Sequence, residues 1–216
     1  MDWVWVGLAA LLGALAGGWL HRRGYRRPDD ERHLVVRPWM VPVLTTLGAV
    51  AAGPFLADQP PVVLGTYLLA LVWAVVLAVV DLEVRRLPDR LVLPAYPVGA
   101  LLLTACAVLT GDQAALLRAV TCAGAGVAGF LVAALVSPGG RGLGLGDVKM
   151  AGVLGGLLGW WGWSDALVGL LSGFVLGAVG ALLLLMTRRV DRKSDIAFGP
   201  AMLLGAYLCT LLARLS

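Results

Sequence analysis

The chain alternates between long apolar stretches and short polar segments. The apolar stretches lie near residues 3–20, 40–57, 61–80, 91–110, 114–136, 148–162, 166–187 and 197–214. They are continuous runs rich in leucine, valine and alanine, without the alternation of apolar and polar positions that marks a half-buried strand. Only helices and closed barrels satisfy the backbone inside a membrane. The pattern therefore predicts an all-α, polytopic transmembrane helix bundle with about eight spans of ~20 residues each.

Composition supports a membrane protein. Hydrophobic residues make up 60% of the 216 residues and charged residues 14%, whereas about a quarter of a soluble domain is charged. The net charge of +4 comes from cations in short loops, where they set membrane orientation. We therefore expect contact with membrane lipid and no nucleic-acid partner.

The cations occur in every second loop. The loops around Asp58, Asp112 and Asp165 contain almost no cations, with Arg118 and Arg214 as the exceptions on that side. Cytoplasmic loops carry an excess of lysine and arginine, which predicts cytoplasmic basic loops and external termini. The first apolar run has no basic residues before it and is interpreted as a first span. The basic loops contain Arg22, Arg23, Arg26, Arg27, Arg32, Arg37, Arg85, Arg86, Arg90, Arg141, Lys149, Arg188, Arg189, Arg192 and Lys193.

Two aspartates, Asp81 and Asp147, lie at the predicted cytoplasmic ends of the third and sixth spans. A carboxylate at a membrane edge is costly, which makes it a candidate functional residue. Two carboxylates a few ångströms apart do not both ionise easily, so such a pair shares one proton. The ionised member then removes a proton from water, and the protonated member donates to a carbonyl oxygen.

The sequence offers few metal ligands. His21 and His33 are the two histidines, and the three cysteines all lie within apolar runs. Structural and catalytic zinc sites need several such side chains at suitable spacing. We therefore predict no metal site. The cysteines are Cys106, Cys122 and Cys209.

Structural interpretations of the same residues stay open. Asp81 is spaced to pair with Arg85 on a helix surface, and Asp147 is placed to cap the sixth helix. Glu83 and Asp89 are suited to be solvated partners of the nearby arginines, and Pro88-Asp89 to begin the next helix. Glycines before Asp147 either form a linker or let an extended peptide approach, since glycine permits close contact and positive φ.

Several blocks in order resemble the type IV prepilin peptidases, polytopic membrane aspartyl proteases of the GxGD class. Asp81 is followed by Pro88-Asp89, and residues 144–150 read Gly-Leu-Gly-Asp-Val-Lys-Met. Residues 144–160, 90–94 and 196–205 also match family blocks, and the resemblance runs from about 65 to 214.

This resemblance implies an activity and a set of site residues. Family members remove a short basic leader from type IV prepilins or type II secretion pseudopilins at the cytoplasmic face of the bacterial inner membrane. Asp81 and Asp147 correspond to the catalytic aspartates. Lys149 matches the motif lysine, which could bind a substrate acid, tune Asp147 or anchor the chain. The residues expected to bind substrate or shape the site are Gly144, Gly146, Lys149, Asp89, Gly199 and Pro200.

The N-terminal part departs from the family pattern. Larger members carry a cytoplasmic insert with CxxC motifs and methylate the new N-terminus with S-adenosylmethionine. Here the insert shrinks to residues 21–38 without cysteine, and Gly17 stands where asparagine is usual. We therefore expect cleavage without methyl transfer and no cofactor. The predicted division is a reduced N-terminal region, 1–38, and a prepilin peptidase-like transmembrane domain, 39–216.

Two other functions stay open. A small transporter or channel would use Asp81 and Asp147 to relay protons or cations, although such carboxylates are expected nearer the membrane midplane. A catalytically silent scaffold for pilus assembly would contain both aspartates as well. Pairs of glycines four residues apart, such as Gly155 with Gly159, indicate either internal helix packing or a homodimer.

Overall fold

A computed structural model describes residues 3–22, 37, 39–56, 58–136, 144–186 and 198–212. Within these residues the regular structure is helical and no strand occurs, which confirms the all-α prediction. A helix occupies each of the eight predicted apolar stretches. The helices are α1 (Trp3–His21), α2 (Met40–Leu56), α3 (Pro61–Val84), α4 (Asp89–Val92), α5 (Ala95–Thr110), α6 (Gln113–Val136), α7 (Leu145–Trp161), α8 (Trp163–Met186) and α9 (Gly199–Leu212).

Within the described residues, five segments are long and apolar enough to cross a membrane. They are Val4–His21, Pro61–Val84, Asp89–Thr110, Gln113–Val136 and Trp163–Gly180. Large apolar side chains are exposed along them: Leu101 is 71% exposed and Leu135 76%, as expected of helices that face lipid. These features confirm a polytopic helix bundle. Helices α2, α7 and α9 are 17, 17 and 14 residues long, so a total of eight spans stays a prediction.

The chain divides into two compact units, Met1–Arg86 and Leu87–Ser216. The first contains α1, α2 and α3, and the second contains α4 to α9. The division at residues 38 and 39 expected from the sequence stays a prediction.

In the first unit, α1 and α2 meet where a glycine faces a buried threonine. A Cβ on Gly13 would overlap Thr45 Oγ1 and lie 2.8 Å from the Pro42 Cα atom. The Thr45 hydroxyl lies 2.9 Å from the Val41 carbonyl oxygen of its own helix and 3.3 Å from that of Ala9 on α1. The hydroxyl is therefore satisfied inside the helix pair, and glycine permits the close approach.

In the second unit, α7 packs against α6 through backbone contacts at glycines. A Cβ on Gly126 of α6 would lie 2.6 Å from the Ala151 carbonyl oxygen, and one on Gly155 of α7 would lie 2.5 Å from that of Cys122. Small residues allow such approach between membrane helices. Helices α8 and α9 meet in the same way at Gly173 and Gly205.

These contacts bear on the paired glycines of the sequence. Gly155 and Gly159 face Cys122 of α6, and Gly173 faces Met202 of α9. Each of these glycines therefore packs against another helix of the second unit, as the internal-packing interpretation predicts. A homodimer stays a prediction.

Arg118 of α6 holds the end of α7, a role that sequence reasoning missed. Its Nε donates to the Gly159 carbonyl oxygen at 2.7 Å, and a terminal nitrogen donates to the Trp160 carbonyl oxygen. The last carbonyls of a helix lack partners within the helix, and a cation is favourable at that end of the helix dipole. Arg118 therefore satisfies the C-terminus of α7 from a neighbouring helix.

Two glycines of α6 provide a matched test of the α6–α7 contact. Gly126→Ala should destabilise the folded protein by about 1–3 kcal/mol, because the new methyl group overpacks a backbone contact. Gly129 has no atom within 4 Å of its Cβ position, so Gly129→Ala should be neutral or stabilising by helix propensity. Thermal unfolding in detergent measures both variants. Equal melting temperatures for the two would contradict this packing.

Candidate active site

Asp81 lies in the last turn of α3 and is buried. It is 3% exposed, and Glu83 in the same turn is 2% exposed. The interpretation of Asp81 as a surface charge and of Glu83 as a solvated partner is therefore wrong. Burying carboxyl groups is costly unless polar partners compensate. The buried carboxyl groups of Asp81 and Glu83 are therefore candidates for a structural or chemical role.

The chain turns sharply after Asp81. Arg85 has φ 50° and ψ 37°, in the left-handed region, and its backbone N–H donates to the Asp81 carbonyl oxygen at 2.8 Å. A residue other than glycine is uncommon in this conformation, which helices use at their C-terminal caps. The backbone of Asp81 is therefore fixed by the end of its helix.

Asp147 lies in the first turn of α7, three residues after the N-cap residue Gly144. Its Oδ2 accepts a hydrogen bond from the Gly144 N–H at 3.1 Å, and its own N–H donates to the Gly144 carbonyl oxygen at 3.0 Å. A carboxylate at the third helical position commonly reaches back in this way. Asp147 therefore takes part in capping α7, but from the third helical position, while Gly144 and not Asp147 is the N-cap residue.

The glycines around Asp147 are used for close approach. Gly144 has φ −73° and ψ 149°, an extended conformation open to any residue, so the positive φ that glycine permits is not used there. A Cβ on Gly146 would lie 3.0 Å from the Leu87 Cβ atom. Gly146 thus lets the start of α7 lie directly against residue 87.

Lys149 and Asp89 form an ion pair. Lys149 Nζ lies 2.6 Å from Asp89 Oδ1, with the side chains 35% and 59% exposed. Asp89 is the first residue of α4, and Pro88 is its N-cap residue. The start of a helix at Pro88-Asp89 is therefore confirmed. An exposed pair of this kind contributes only about 0–1 kcal/mol to stability.

Tyr96 of α5 also contacts Lys149. Its hydroxyl donates to the Lys149 carbonyl oxygen at 2.6 Å. A Cβ on Gly152 would overlap this hydroxyl, so Gly152 provides the space that the phenol occupies. Sequence reasoning missed Tyr96. The signal was available, because a tyrosine within an apolar span needs a hydrogen-bond partner.

Gly199 and Pro200 begin α9. Proline is tolerated in the first turn of a helix, where its missing N–H has no partner to lose. Just before them, the Phe198 ring meets the Phe174 ring of α8 edge to face at 5.7 Å. Gly177 of α8 leaves room for the Phe198 ring. The structure thus gives these residues a helix-starting role, and their part in shaping a site stays a prediction.

The carboxyl group of Asp147 has a raised pKa. It lies outside the five long apolar segments and is half-buried. Burial raises its pKa to about 6, and the hydrogen bond from the Gly144 backbone opposes that rise. A pKa near the working pH suits a group that takes and gives protons.

Among the residues that the structure describes, no three His, Cys, Asp or Glu side chains gather to hold a metal ion. The absence of a metal and the pairing of Asp81 with Asp147 both stay predictions. The acids at 29–31, His33, residues 139–143 and 188–193, and Asp195 lie outside the described residues.

Comparison with known proteins places these residues in a family. The chain matches the type IV leader peptidase family over residues 68–182, which include Asp81 and Asp147. This match confirms the family resemblance seen in the sequence. No solved structure matches the chain.

Several curated relatives are described as prepilin leader peptidase/N-methyltransferase. The chain is 34% identical to that of Pectobacterium carotovorum subsp. carotovorum over 194 residues, which are 87% of this chain and 64% of the relative. It is 32% identical to that of Aeromonas hydrophila over 201 residues, 89% of this chain and 64% of the relative. The chain thus spans less than two thirds of the length of these relatives.

The acidity of Asp147 predicts a pH-dependent stability. The folded protein holds this proton up to about pH 6, whereas an unfolded aspartate releases it near pH ~3.9. Protonation therefore favours the folded state, and this stability is lost as pH rises through about 6. Asp147→Asn lacks the titration and should melt above the wild type at pH ~7, with the difference shrinking towards pH ~4. A difference in melting temperature that is constant across this range would contradict the assignment.

Proposed function

Because the chain belongs to the type IV leader peptidase family, we propose that it is a membrane aspartyl endopeptidase. Its substrates are type IV prepilins or pseudopilins, from which it removes the leader. The observation that carries this proposal is the family match over residues 68–182, which contains both Asp81 and Asp147. The curated relatives, described as prepilin leader peptidases, support the same substrate class.

In the proposed reaction Asp81 and Asp147 share one proton. The ionised carboxylate removes a proton from water, and the water oxygen attacks the carbonyl carbon of the scissile peptide bond. The protonated carboxyl group donates to the carbonyl oxygen. The tetrahedral intermediate then collapses and the C–N bond breaks. The leaving nitrogen takes the proton that the first carboxylate removed from water, and the second carboxylate takes a proton back from a hydroxyl group of the intermediate. The pKa of about 6 supports Asp147 as the group that holds the shared proton.

The capping role of Asp147 is compatible with this chemistry. The hydrogen bond from Gly144 uses Oδ2, and an ionised carboxylate has acceptor capacity at both oxygens. The bond fixes the orientation of the carboxyl group. Orientation of this kind is what a positioned acid or base needs.

We place the site at the cytoplasmic face of the bacterial inner membrane. The cations at Arg85, Arg86, Arg90 and Lys149 support this side by the positive-inside rule. A prepilin leader lies in the cytoplasm while its apolar helix lies in the membrane, which suits a site at that edge.

We further propose cleavage without methyl transfer. The relatives are described as N-methyltransferases as well as leader peptidases. Residues 21–38 contain no cysteine, and Gly17 replaces the usual asparagine, which supports a reduced activity here. S-adenosylmethionine would supply only the methyl group, and no step of the cleavage needs it.

The two aspartates can be tested against a matched control. Asp165 occupies the third position of α8 and follows Gly162, as Asp147 of α7 follows Gly144. In cells that also produce a type IV prepilin, Asp81→Asn and Asp147→Asn should lower the cleavage rate by about 10²–10⁴-fold, the contribution of general acid–base catalysis. Asp165→Asn should retain cleavage. Mass spectrometry of the pilin N-terminus reports the cleavage position and any added methyl group.

The outcome separates the candidate functions. Full cleavage by either the Asp81 or the Asp147 variant, at normal expression, would refute the aspartyl mechanism. Loss of ion uptake without loss of cleavage would favour the transporter. A wild-type chain that leaves the prepilin uncut would favour the scaffold. An added methyl group on the product would refute the cleavage-only proposal.

The proposed orientation predicts which residues are accessible from each side. Arg90 and Asp112 are both exposed and lie near opposite ends of the Asp89–Thr110 segment. In a background without the native cysteines, Arg90→Cys should react with an impermeant thiol reagent only after the cytoplasmic side is opened. Asp112→Cys should react in intact cells whose outer membrane has been permeabilised. The reverse pattern would invert the topology.

A further inference from the structure

The first five residues of α7 are held at three points by one short segment of the second unit. Leu87 lies against Gly146, Asp89 pairs with the Lys149 ammonium group, and the Tyr96 hydroxyl donates to the Lys149 carbonyl oxygen. Leu87, Asp89 and Tyr96 are together called the 87–96 clamp. Its contacts fall on the residue before Asp147 and on the residue two positions after it.

The Lys149 side chain projects to a different side of α7 from the Asp147 side chain. Residues two positions apart on a helix project to different sides and do not face each other. The Lys149 ammonium group is also engaged, at 2.6 Å from the Asp89 carboxylate. The lysine therefore affects Asp147 through the position of the helix that carries both residues.

The three contacts constrain different movements of α7. Gly146 allows the start of α7 to pack closely against Leu87, because a Cβ atom on residue 146 would lie only 3.0 Å from the Leu87 Cβ atom. The hydrogen bond from Tyr96 holds the backbone carbonyl group of Lys149. The Asp89–Lys149 pair holds the end of the Lys149 side chain. Gly152 belongs to the same arrangement, since its missing side chain makes room for the Tyr96 hydroxyl.

We propose that Asp89, Lys149 and Tyr96 are positioning residues that set the height and rotation of the Asp147 carboxyl group. This proposal rests on the proposed peptidase function, in which Asp147 must meet water and substrate in a defined orientation. A misplacement of about 1 Å can cost about 10²-fold in rate. An exposed ion pair with little effect on stability can therefore have a large effect on cleavage.

Exchanging the charges of Asp89 and Lys149 tests the role of their ion pair. Asp89→Lys and Lys149→Asp should each lower kcat for prepilin cleavage by about 10- to 100-fold, with KM little changed. The double variant Asp89→Lys/Lys149→Asp restores opposite charges and should recover most of kcat. Tyr96→Phe removes only the hydroxyl and should also lower kcat at nearly constant KM. Arg90→Asp, an equal change of net charge beside the clamp, is the matched control and should leave kcat unchanged.

Several results would overturn the proposal. Single variants with wild-type kcat would do so, as would a double variant no better than the singles, because Lys149 would then act on its own. An increase in KM alone would assign these residues to substrate binding. A loss of kcat in Arg90→Asp would show that any change of net charge near the clamp lowers kcat, whether or not the Asp89–Lys149 pair is broken.

Hydrogen exchange separates this proposal from the peptidase function. In the whole chain in detergent, the single variants should speed amide hydrogen exchange in residues 145–149. The double variant Asp89→Lys/Lys149→Asp should slow that hydrogen exchange again. Unchanged exchange in the single variants would refute the clamp. If Asp147→Asn still cleaves prepilin, the peptidase mechanism fails, while the exchange rates still decide whether the clamp holds α7.

Discussion

Close backbone packing between α6 and α7 is the constraint on which the second unit depends. In a membrane, burying an apolar side chain against another helix gains little over leaving it in lipid, so helices associate through tight van der Waals contact. Gly126 and Gly155 bring the two backbones to distances at which a methyl group would not fit. The residues of α7 from Val148 to Trp160 are consequently mostly buried. A helix of only 17 residues is therefore held without a long lipid-facing surface.

Both ends of α7 are held by residues from other parts of the second unit. Arg118 of α6 satisfies the carbonyls of its last turn, and the 87–96 clamp holds its first turn. Asp147 lies in that first turn and is itself bonded to the cap residue Gly144. The candidate catalytic group thus lies on a helix that is restrained at both ends. Such restraint is the usual requirement for a side chain that transfers protons in a defined geometry.

Much of the fold and part of the site were predictable from sequence. The apolar runs are long and uninterrupted, so the helices at all eight predicted stretches followed from the need to satisfy the backbone in lipid. Asp81 and Asp147 were conspicuous because carboxylates are rare at the ends of apolar runs. The burial of Glu83 and the partner of Asp89 were not predictable. Both depend on which residues distant in sequence come to lie beside them.

The sequence by itself determined the helical membrane class, the family and the candidate aspartates, because these depend on local composition and on motifs within short windows. Tertiary structure alone decided that Lys149 pairs with Asp89, that Tyr96 reaches its carbonyl oxygen, and that Arg118 caps α7. These contacts join residues 41 to 60 positions apart. Their partners are chosen by how closely glycine lets the helices approach, a property of the packed pair of helices and not of either sequence segment.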